Sequence, residues 1–430
     1  MIAAEVFLWN TRIGVVIQDS LTDIPRFSYD EKFLKSRIEV SPIAMPLSKR
    51  IYQFPALNPA TFHYLPGLLA DSLPDKYGNK LIERYLTDLG RDLASFGPIE
   101  RLCYTGKRGM GALEYVPDKS ISVPDESIDI NCLVQLASDI LTERETVHVN
   151  ENHQTMKQIL KIGTSAGGAR AKAIIAWNQE TKDIRSGQVN AGDGYSYWLI
   201  KFDGISNNKD HGDKADCSEY TKIEYAYYLM AKEAGIQMSE CRLYKEDDKY
   251  HFMTKRFDRT EQGTKLHMQS LGAIAHYDYN SPGVYSYEQA ADIIYRLHMG
   301  QSEIEELFRR LVFNVVARNQ DDHVKNLSFL MDKKGIWQLA PAYDVTYSYD
   351  PTNMWLAKHQ MSVNGKVEQI TLDDLYACGR HMNISDNRIK KIMEQVISIV
   401  VNWEKYAEMA ELQEQTMQEI KGNHILLLHE

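Results

Sequence analysis

The chain has 430 residues, of which 43% are hydrophobic and 25% charged, with a net charge of −10. Such a composition suits two or three ordinary globular domains, and its acidic balance excludes a whole-surface affinity for nucleic acid, which needs clustered Lys and Arg. The five cysteines (Cys103, Cys132, Cys217, Cys241, Cys378) show no C-x-x-C spacing, which argues against a zinc site or a redox pair and suits reduced thiols in a cytosol. No window reaches the ~18 apolar residues of a membrane span. The opening MIAAEVFLWNTRIGVV has no Lys or Arg ahead of its short apolar stretch, so no signal peptide is expected. The expectation is a cytoplasmic, soluble protein with no membrane contact.

In chain order, AEVFLWN, RIGVVIQD and RFSYD read as short strands separated by turn residues. DKYGNKLIERYLTDLG reads as a helix with Ile82, Tyr85 and Leu86 on one face. GALEYV is a strand, and the polar PDKSISVPDES after it is a linker. The region 128–160 reads as helical. LKIGTSAGGARAKAIIAW is a glycine-rich loop entering an apolar strand, and YSYWLIKFD is a second strand. SEYTKIEYAYYLMAKEAG is an amphipathic helix ended by Gly235. CRLYKEDDKYHFMTKRF reads as a hairpin turning at EDDK. Past Asp258 the chain becomes mostly helical. Ser302 and Glu305 have the spacing of a capping box opening a helix. Its Ile304, Leu307, Phe308, Leu311, Val312, Val315 and Val316 recur at 3–4 spacing. NLSFLMDKKGIWQLAPAYD reads as a hairpin about Asp332–Gly335. The tail carries a long helix with Ile389, Ile392, Met393, Val396 and Val400 in phase, and Gly422 is expected near its stop. The domain borders are expected at 1–125, 126–258 and 259–430.

The chemistry-bearing residues fall in the same order. Gly163, Gly167 and Gly168 in GTSAGGARAK would let backbone amides approach a polyphosphate, though glycine-rich hairpin tips are common in other roles. The loop leads into a strand, so neither the Walker A pattern nor the dinucleotide fingerprint fits. Lys201 ends an apolar strand: it reads either as a snorkelling surface lysine or as a point charge on the α- and β-phosphates. In the second case Glu224, on the next helix, is its candidate carboxylate partner. In NQDDHVKN, Asp321 and Asn326 are five residues apart on a loop after a buried helix, and Asp344 comes one hairpin later. Phosphoryl transfer needs such a set: a carboxylate that orients the attacking hydroxyl, and an amide oxygen and second carboxylate that hold Mg²⁺ against the phosphates. Asp322 is an ambiguous neighbour of Asp321. His323 reads as a hydrogen-bonding residue of the loop and also as a contact for nucleotide.

Together GTSAGGARAK, YWLIKFDG, KRFDR, NQDDHVKN and PAYDV resemble the HipA family of kinases, and FHYLPGLLADSLPDKYGNKL and GKRGMGALEYVPD are similar to that family's N-terminal domain. The resemblance spans nearly the whole chain. It implies an α+β, protein-kinase-like bilobal fold, with a sheet-rich N-lobe, a helical C-lobe and an extra N-terminal β-rich subdomain. It implies an ATP- and Mg²⁺-dependent serine/threonine kinase, the toxin of a toxin–antitoxin pair. The family's known targets are aminoacyl-tRNA synthetases. Its usual partner is a small helix-turn-helix antitoxin of the HipB type, through which the kinase meets operator DNA indirectly. By position, Asp321 is the catalytic base, and Asn326 and Asp344 are the Mg²⁺ ligands. The ATP contacts are Ser165, Ala166, Gly167, Gly168, Ala169, Arg170, Lys172, Lys201, Glu224 and His323, with Lys255, Arg256 and Phe257 at the adenine hinge. Some members carry a self-phosphorylated serine in the loop, which here falls on Ser165; Ser165 also reads as a turn cap, since Arg170 stands where the family usually has Gln. A pseudokinase acting only in transcriptional repression is the alternative, and the intact set Lys201, Asp321, Asn326 and Asp344 speaks against it.

Overall fold

A computed structural model describes residues 1–88, 90–119, 128–141, 170–188, 190–205, 219–260 and 262–426. The chain divides into two compact units. One comprises Met1–Ser218, Tyr244–Gln269 and Leu330–Ile336; the other comprises Glu219–Leu243, Ser270–Phe329 and Trp337–Glu430. The architecture is α+β, and among the described residues no helix is long and apolar enough to cross a membrane.

Among the described residues, two of the three sheets lie wholly or mainly in the first unit; the third pairs His267–Ser270, Ser328–Met331 and Trp337–Leu339. β1 (Ile2–Leu8), β2 (Thr11–Gln18), β3 (Arg26–Tyr29) and β4 (Leu113–Val116) form an antiparallel sheet in the order β3-β2-β1-β4. Alternation sets its inner face: Ala4, Val6 and Leu8 are buried while the residues between them are not. The second sheet holds β5 (Lys172–Trp177), β6 (Ile184–Ser186), β7 (Ser196–Lys201), β8 (Cys241–Glu246) and β9 (Lys249–Lys255), ordered β6-β5-β7-β9-β8. Only the Tyr244 end of β8 belongs to this unit. Every residue of β5 is buried, as expected of a central strand covered on both faces. One cover is an apolar cluster in which Leu81 and Leu86 of the helix Lys76–Asp88, and Leu133 and Val134 of the helix Ile130–Leu141, meet Ile175, Trp198 and Ile200.

The second unit is helical. Its central helix, Gln301–Val316, buries all seven apolar residues whose spacing predicted it. Its start corrects the expected capping box. Gly300 occupies the N-cap, and the Ser302 hydroxyl, already inside the first turn, donates to Glu303 at 2.6 Å. Glu305 instead accepts from Arg388 at 2.6 and 2.9 Å. Capping boxes do form at Ser286/Gln289 and Thr371/Asp374, ahead of the helices Tyr287–Arg296 and Leu372–His381. The helix Tyr220–Glu233 ends as predicted: Gly235 adopts φ +88°, and Ile236 N donates back to Ala231 O at 3.0 Å. The tail has more helices than expected. Asp386–Val400 buries the predicted stripe, and the separate helices Trp403–Met409 and Glu414–Asn423 come after it. Gly422 therefore sits in the last helix and does not stop the long one. Gly costs a helix interior roughly 1 kcal/mol relative to Ala, too little to end a helix by itself.

Candidate active site

In the second unit, the central helix delivers the chain into the loop 318–327. Arg318 adopts a left-handed φ of +57° where the helix breaks. Beyond it the two adjacent aspartates part company. Asp322 is 3% exposed. Its carboxylate accepts from the Tyr287 hydroxyl at 2.7 Å and from Gln360 N at 2.7 Å, and lies 2.9 Å from Nδ1 of His359. The Tyr287 hydroxyl, having donated its one proton to Asp322, accepts from Asn314 Nδ2 at 2.9 Å. Asn314 Oδ1 accepts from Asn319 Nδ2 at 2.9 Å. Asp322 is thus one end of a buried polar chain that anchors the loop from beneath, while Asp321 is only partly buried.

Asn326 is held from two sides. Its N–H donates to His323 O at 2.8 Å, and its Nδ2 donates to Asp321 O at 2.8 Å. That second bond fixes the amide orientation, so Oδ1 is the atom Asn326 can offer a cation. His323 Nδ1 accepts from Lys325 N at 3.2 Å. Its ring lies 5.8 Å from that of Tyr279.

The segment carrying Asp344 is aligned by three ties within the same unit. Ala342 N donates to Gln237 O at 2.8 Å, Ala340 N donates to Ser328 O at 2.8 Å, and Ser348 N donates to Arg318 O at 3.0 Å. The buried Arg310 adds another. Its guanidinium donates to Ala340 O at 2.9 Å and to Glu306 at 2.8 Å. Burial lowers the Arg310 pKa, against the raising effect of Glu306. The Tyr343 hydroxyl donates to Lys325 O at 2.5 Å and accepts from Ser328 at 2.5 Å. Asp344 itself adopts φ +52°, a conformation Asp tolerates better than most residues. A cleft of about 460 Å³, its open mouth included, is lined by Asn326, Asp344, His323 and Asp322 together with Tyr287, Arg310 and Met361.

An amide oxygen and a carboxylate on one cleft are hard donors suited to Mg²⁺. Among the described residues no group of three or more His, Cys, Asp or Glu side chains is arranged to enclose a metal ion. One or two protein oxygens are what Mg²⁺ usually takes beside phosphate and water.

In the first unit, Lys201 and Lys172 are cross-strand partners, so both side chains share one face of the sheet. Lys201 is 7% exposed, against the surface reading of a strand-end lysine, and its Nζ lies 5.9 Å from the Phe252 ring. Lys172 Nζ is 3.9 Å from Asp75. At the expected hinge, the Arg256 side chain is taken up internally. It donates to both carboxylate oxygens of Asp258, at 2.8 and 2.7 Å, and to Gly187 O at 3.1 Å. Asp258 also accepts from Arg259 and from Gly111 N, each at 2.7 Å. Burial alone would raise the Asp258 carboxyl, but the two guanidinium charges and these hydrogen bonds hold it well below the ordinary carboxylate range. The Arg256 guanidinium is therefore occupied within the protein, and Arg256 N donates to Tyr197 O at 2.8 Å. Arg170, whose identity departs from the family's loop, is half-buried. Ser165, Ala166, Gly167, Gly168 and Ala169 lie outside the described residues.

On the helix Tyr220–Glu233 of the second unit, Glu224 is 3% exposed, consistent with an inward face. Glu219, one turn earlier, caps the last helix instead, accepting from Gln413 N at 3.0 Å and the Thr416 hydroxyl at 2.6 Å.

The comparisons with known proteins cover both ends of this arrangement. Residues 164–403 match the HipA-like C-terminal domain, and residues 4–116 match the HipA N-terminal domain. The chain belongs to the HipA family. The Shewanella oneidensis MR-1 HipA toxin, solved with HipB and operator DNA, superposes with a TM-score of 0.70 over 97% of this chain and 94% of that one, at 17% identity. The HipA fold is therefore shared across nearly the full length. A Haemophilus influenzae protein, provisionally named a kinase, is 30% identical over 161 residues. That alignment takes in 33% of this chain and spans about half of the relative, 46% of its length.

Sequence reading missed the support beneath the site. Tyr287, Asn314, His359 and Gln360 are scattered over more than seventy positions, and no spacing marks them. The doubled aspartate was the one available signal, since two adjacent carboxylates give a loop one to bury and one to expose.

Proposed function

We propose that this HipA-family chain is a serine/threonine protein kinase that transfers the γ-phosphate of Mg²⁺-ATP to a protein hydroxyl. The observation that carries the reading is the cleft shared by Asn326 and Asp344, with Asn326 bonded to the carbonyl of Asp321. In this role Asp321 orients the attacking hydroxyl and accepts its proton. Asn326 Oδ1 and the Asp344 carboxylate would hold Mg²⁺, which when bound neutralises charge on the β- and γ-phosphates. Lys201 and Lys172, side by side and buried, suit the α- and β-phosphates; Glu224 is the acidic residue assigned to ATP binding. His323 keeps its loop in shape and faces the nucleotide. The glycine-rich segment around Gly167 and Gly168 would close over the phosphates, and Ser165 within it is the proposed site of self-phosphorylation, which switches the enzyme off.

In this reading the second unit, which carries Asp321, Asn326 and Asp344, is the catalytic lobe. By likeness to the Shewanella toxin, which is solved with HipB and operator DNA, a HipB-type antitoxin is the proposed partner and DNA contact is chiefly indirect. The proposed setting is the cytoplasm, with an aminoacyl-tRNA synthetase as the class of target that the resemblance supports. The test is to incubate the protein with γ-labelled ATP, Mg²⁺ and a lysate of its host. Label on a protein band, released by acid hydrolysis as phosphoserine or phosphothreonine, supports the proposal. Label confined to small metabolites would overturn it.

A further inference from the structure

Near the C-terminus, the stretch Asn423–Ile425 touches both segments that frame the candidate site. The central helix leaves its final carbonyls without helical partners, as every helix must. Here Ile425 N donates to Val316 O at 2.9 Å. The next carbonyl, Ala317 O, accepts from the Tyr227 hydroxyl at 2.6 Å. Having spent its proton there, that hydroxyl must accept from Nε2 of His424, 3.0 Å away, which fixes the His424 tautomer. The His424 ring sits 5.6 Å from that of Trp403.

One residue further, Arg318 Nε donates to Asn423 O at 2.9 Å, and its guanidinium lies 4.4 Å from the centre of the Tyr349 ring. Asn423 Nδ2 donates to the Tyr347 hydroxyl at 2.9 Å. Arg318 stands three residues before Asp321, and Tyr347 three residues after Asp344. The two segments also bond to each other through Ser348 N and Arg318 O. The C-terminal strap thus closes a triangle: strap to the Asp321 loop, strap to the Asp344 segment, and loop to segment.

We propose that Asn423–Ile425 is a positioning strap, which sets the register between the loop bearing Asp321 and Asn326 and the segment bearing Asp344. Its consequence for catalysis rests on the phosphotransfer reading above; the mechanical claim does not. Asn423 and Tyr347 are positioning residues that do not line the cleft, and their bond can be cut from either side without touching the strap's backbone bonds.

The experiment compares wild type, Asn423→Ala, Tyr347→Phe and the double variant by amide hydrogen exchange and by phosphate transfer across a Mg²⁺ titration. Exchange of peptides covering 318–326 and 344–349 should quicken about five-fold, what one neutral hydrogen bond is worth, with the helix Asp386–Val400 unchanged. The double variant should match Asn423→Ala, which cuts the Tyr347 bond and also the 2.9 Å bond from Asn423 Nδ2 to Glu419 O, because Tyr347→Phe then has no further bond to remove. Transfer should fall about five-fold in kcat, with more Mg²⁺ needed for half-maximal rate and KM for the protein acceptor unmoved. Unchanged exchange in both segments, or a uniform rise that includes 386–400, would overturn the strap. A wild type that exchanges as expected yet transfers no phosphate would instead refute the phosphotransfer reading and leave the strap standing.

Discussion

Replacing Asp322 by alanine separates anchor from chemistry. The variant strands the Tyr287 hydroxyl, the Gln360 amide and the His359 imidazole, all now within 2.7–2.9 Å of one carboxylate that is 3% exposed. A buried donor left without its acceptor costs ~1–3 kcal/mol; near the lower end of that range, three such groups amount to about 4 kcal/mol. For a domain of roughly 150–250 residues this lowers Tm by about 8–16 °C. Asp321→Asn, at a partly exposed position, should shift Tm by no more than about 2 °C, yet reduce transfer on the order of 100-fold or more, since the amide is a poor proton acceptor. Thermal melts and a γ-phosphate transfer assay on the same preparations make the comparison. An Asp322→Ala protein that melts like wild type, or an Asp322→Asn protein that keeps its Tm and loses transfer while Asp321→Asn keeps it, would show that the roles have been assigned to the wrong neighbours.

Lys201→Ala should abolish most of the Tm rise that saturating Mg²⁺-ATP gives the wild type, because ligand stabilisation tracks affinity; an undiminished rise would return Lys201 to a structural role. Ser165→Asp should be inactive and Ser165→Ala active, and intact-mass analysis after long incubation with Mg²⁺-ATP should find phosphate on wild type only. An active wild type that stays unmodified removes the switch. Burial holds the imidazoles of His267, His276 and His424 down to about 4. An unfolded histidine takes its proton near pH 6.5. Between these values the unfolded chain binds more protons, so stability is fully present above about pH 6.5 and is lost as pH falls toward 4. Tm should be flat from pH 7 to 8 and decline below 6.5, with His267→Gln flattening the decline; a Tm that rises on acidification contradicts the sign.

Local periodicity made much of the scaffold legible. The stripe from Ile304 to Val316 and that from Ile389 to Val400 are buried as spaced, because an amphipathic helix has one way to hide its apolar face. Gly235 ends its helix because αL geometry at that position suits a residue without Cβ. The misreading at Ser302 has the opposite origin. A capping box is a four-residue pattern that any S-x-x-E satisfies, and the helix began where Gly300 allowed it. Asp321, Asn326 and Asp344 stand out as a candidate set because phosphate chemistry demands fixed residue types in a fixed order, and the structure brings Asn326 and Asp344 to one cleft. The Asp322 anchor and the strap could not. They join Tyr287 to His359, and Val316 to Ile425, across separations that no local pattern encodes.

The central claim is that Asp321, Asn326 and Asp344 perform Mg²⁺-dependent phosphate transfer to protein. Its most direct test is a paired assay of wild type and Asp321→Asn at matched Mg²⁺-ATP occupancy, tracing γ-label into protein serine or threonine. The account predicts label with wild type, none without Mg²⁺, and at least about a 100-fold loss in the variant with nucleotide binding retained. Equal labelling by the two proteins would contradict it.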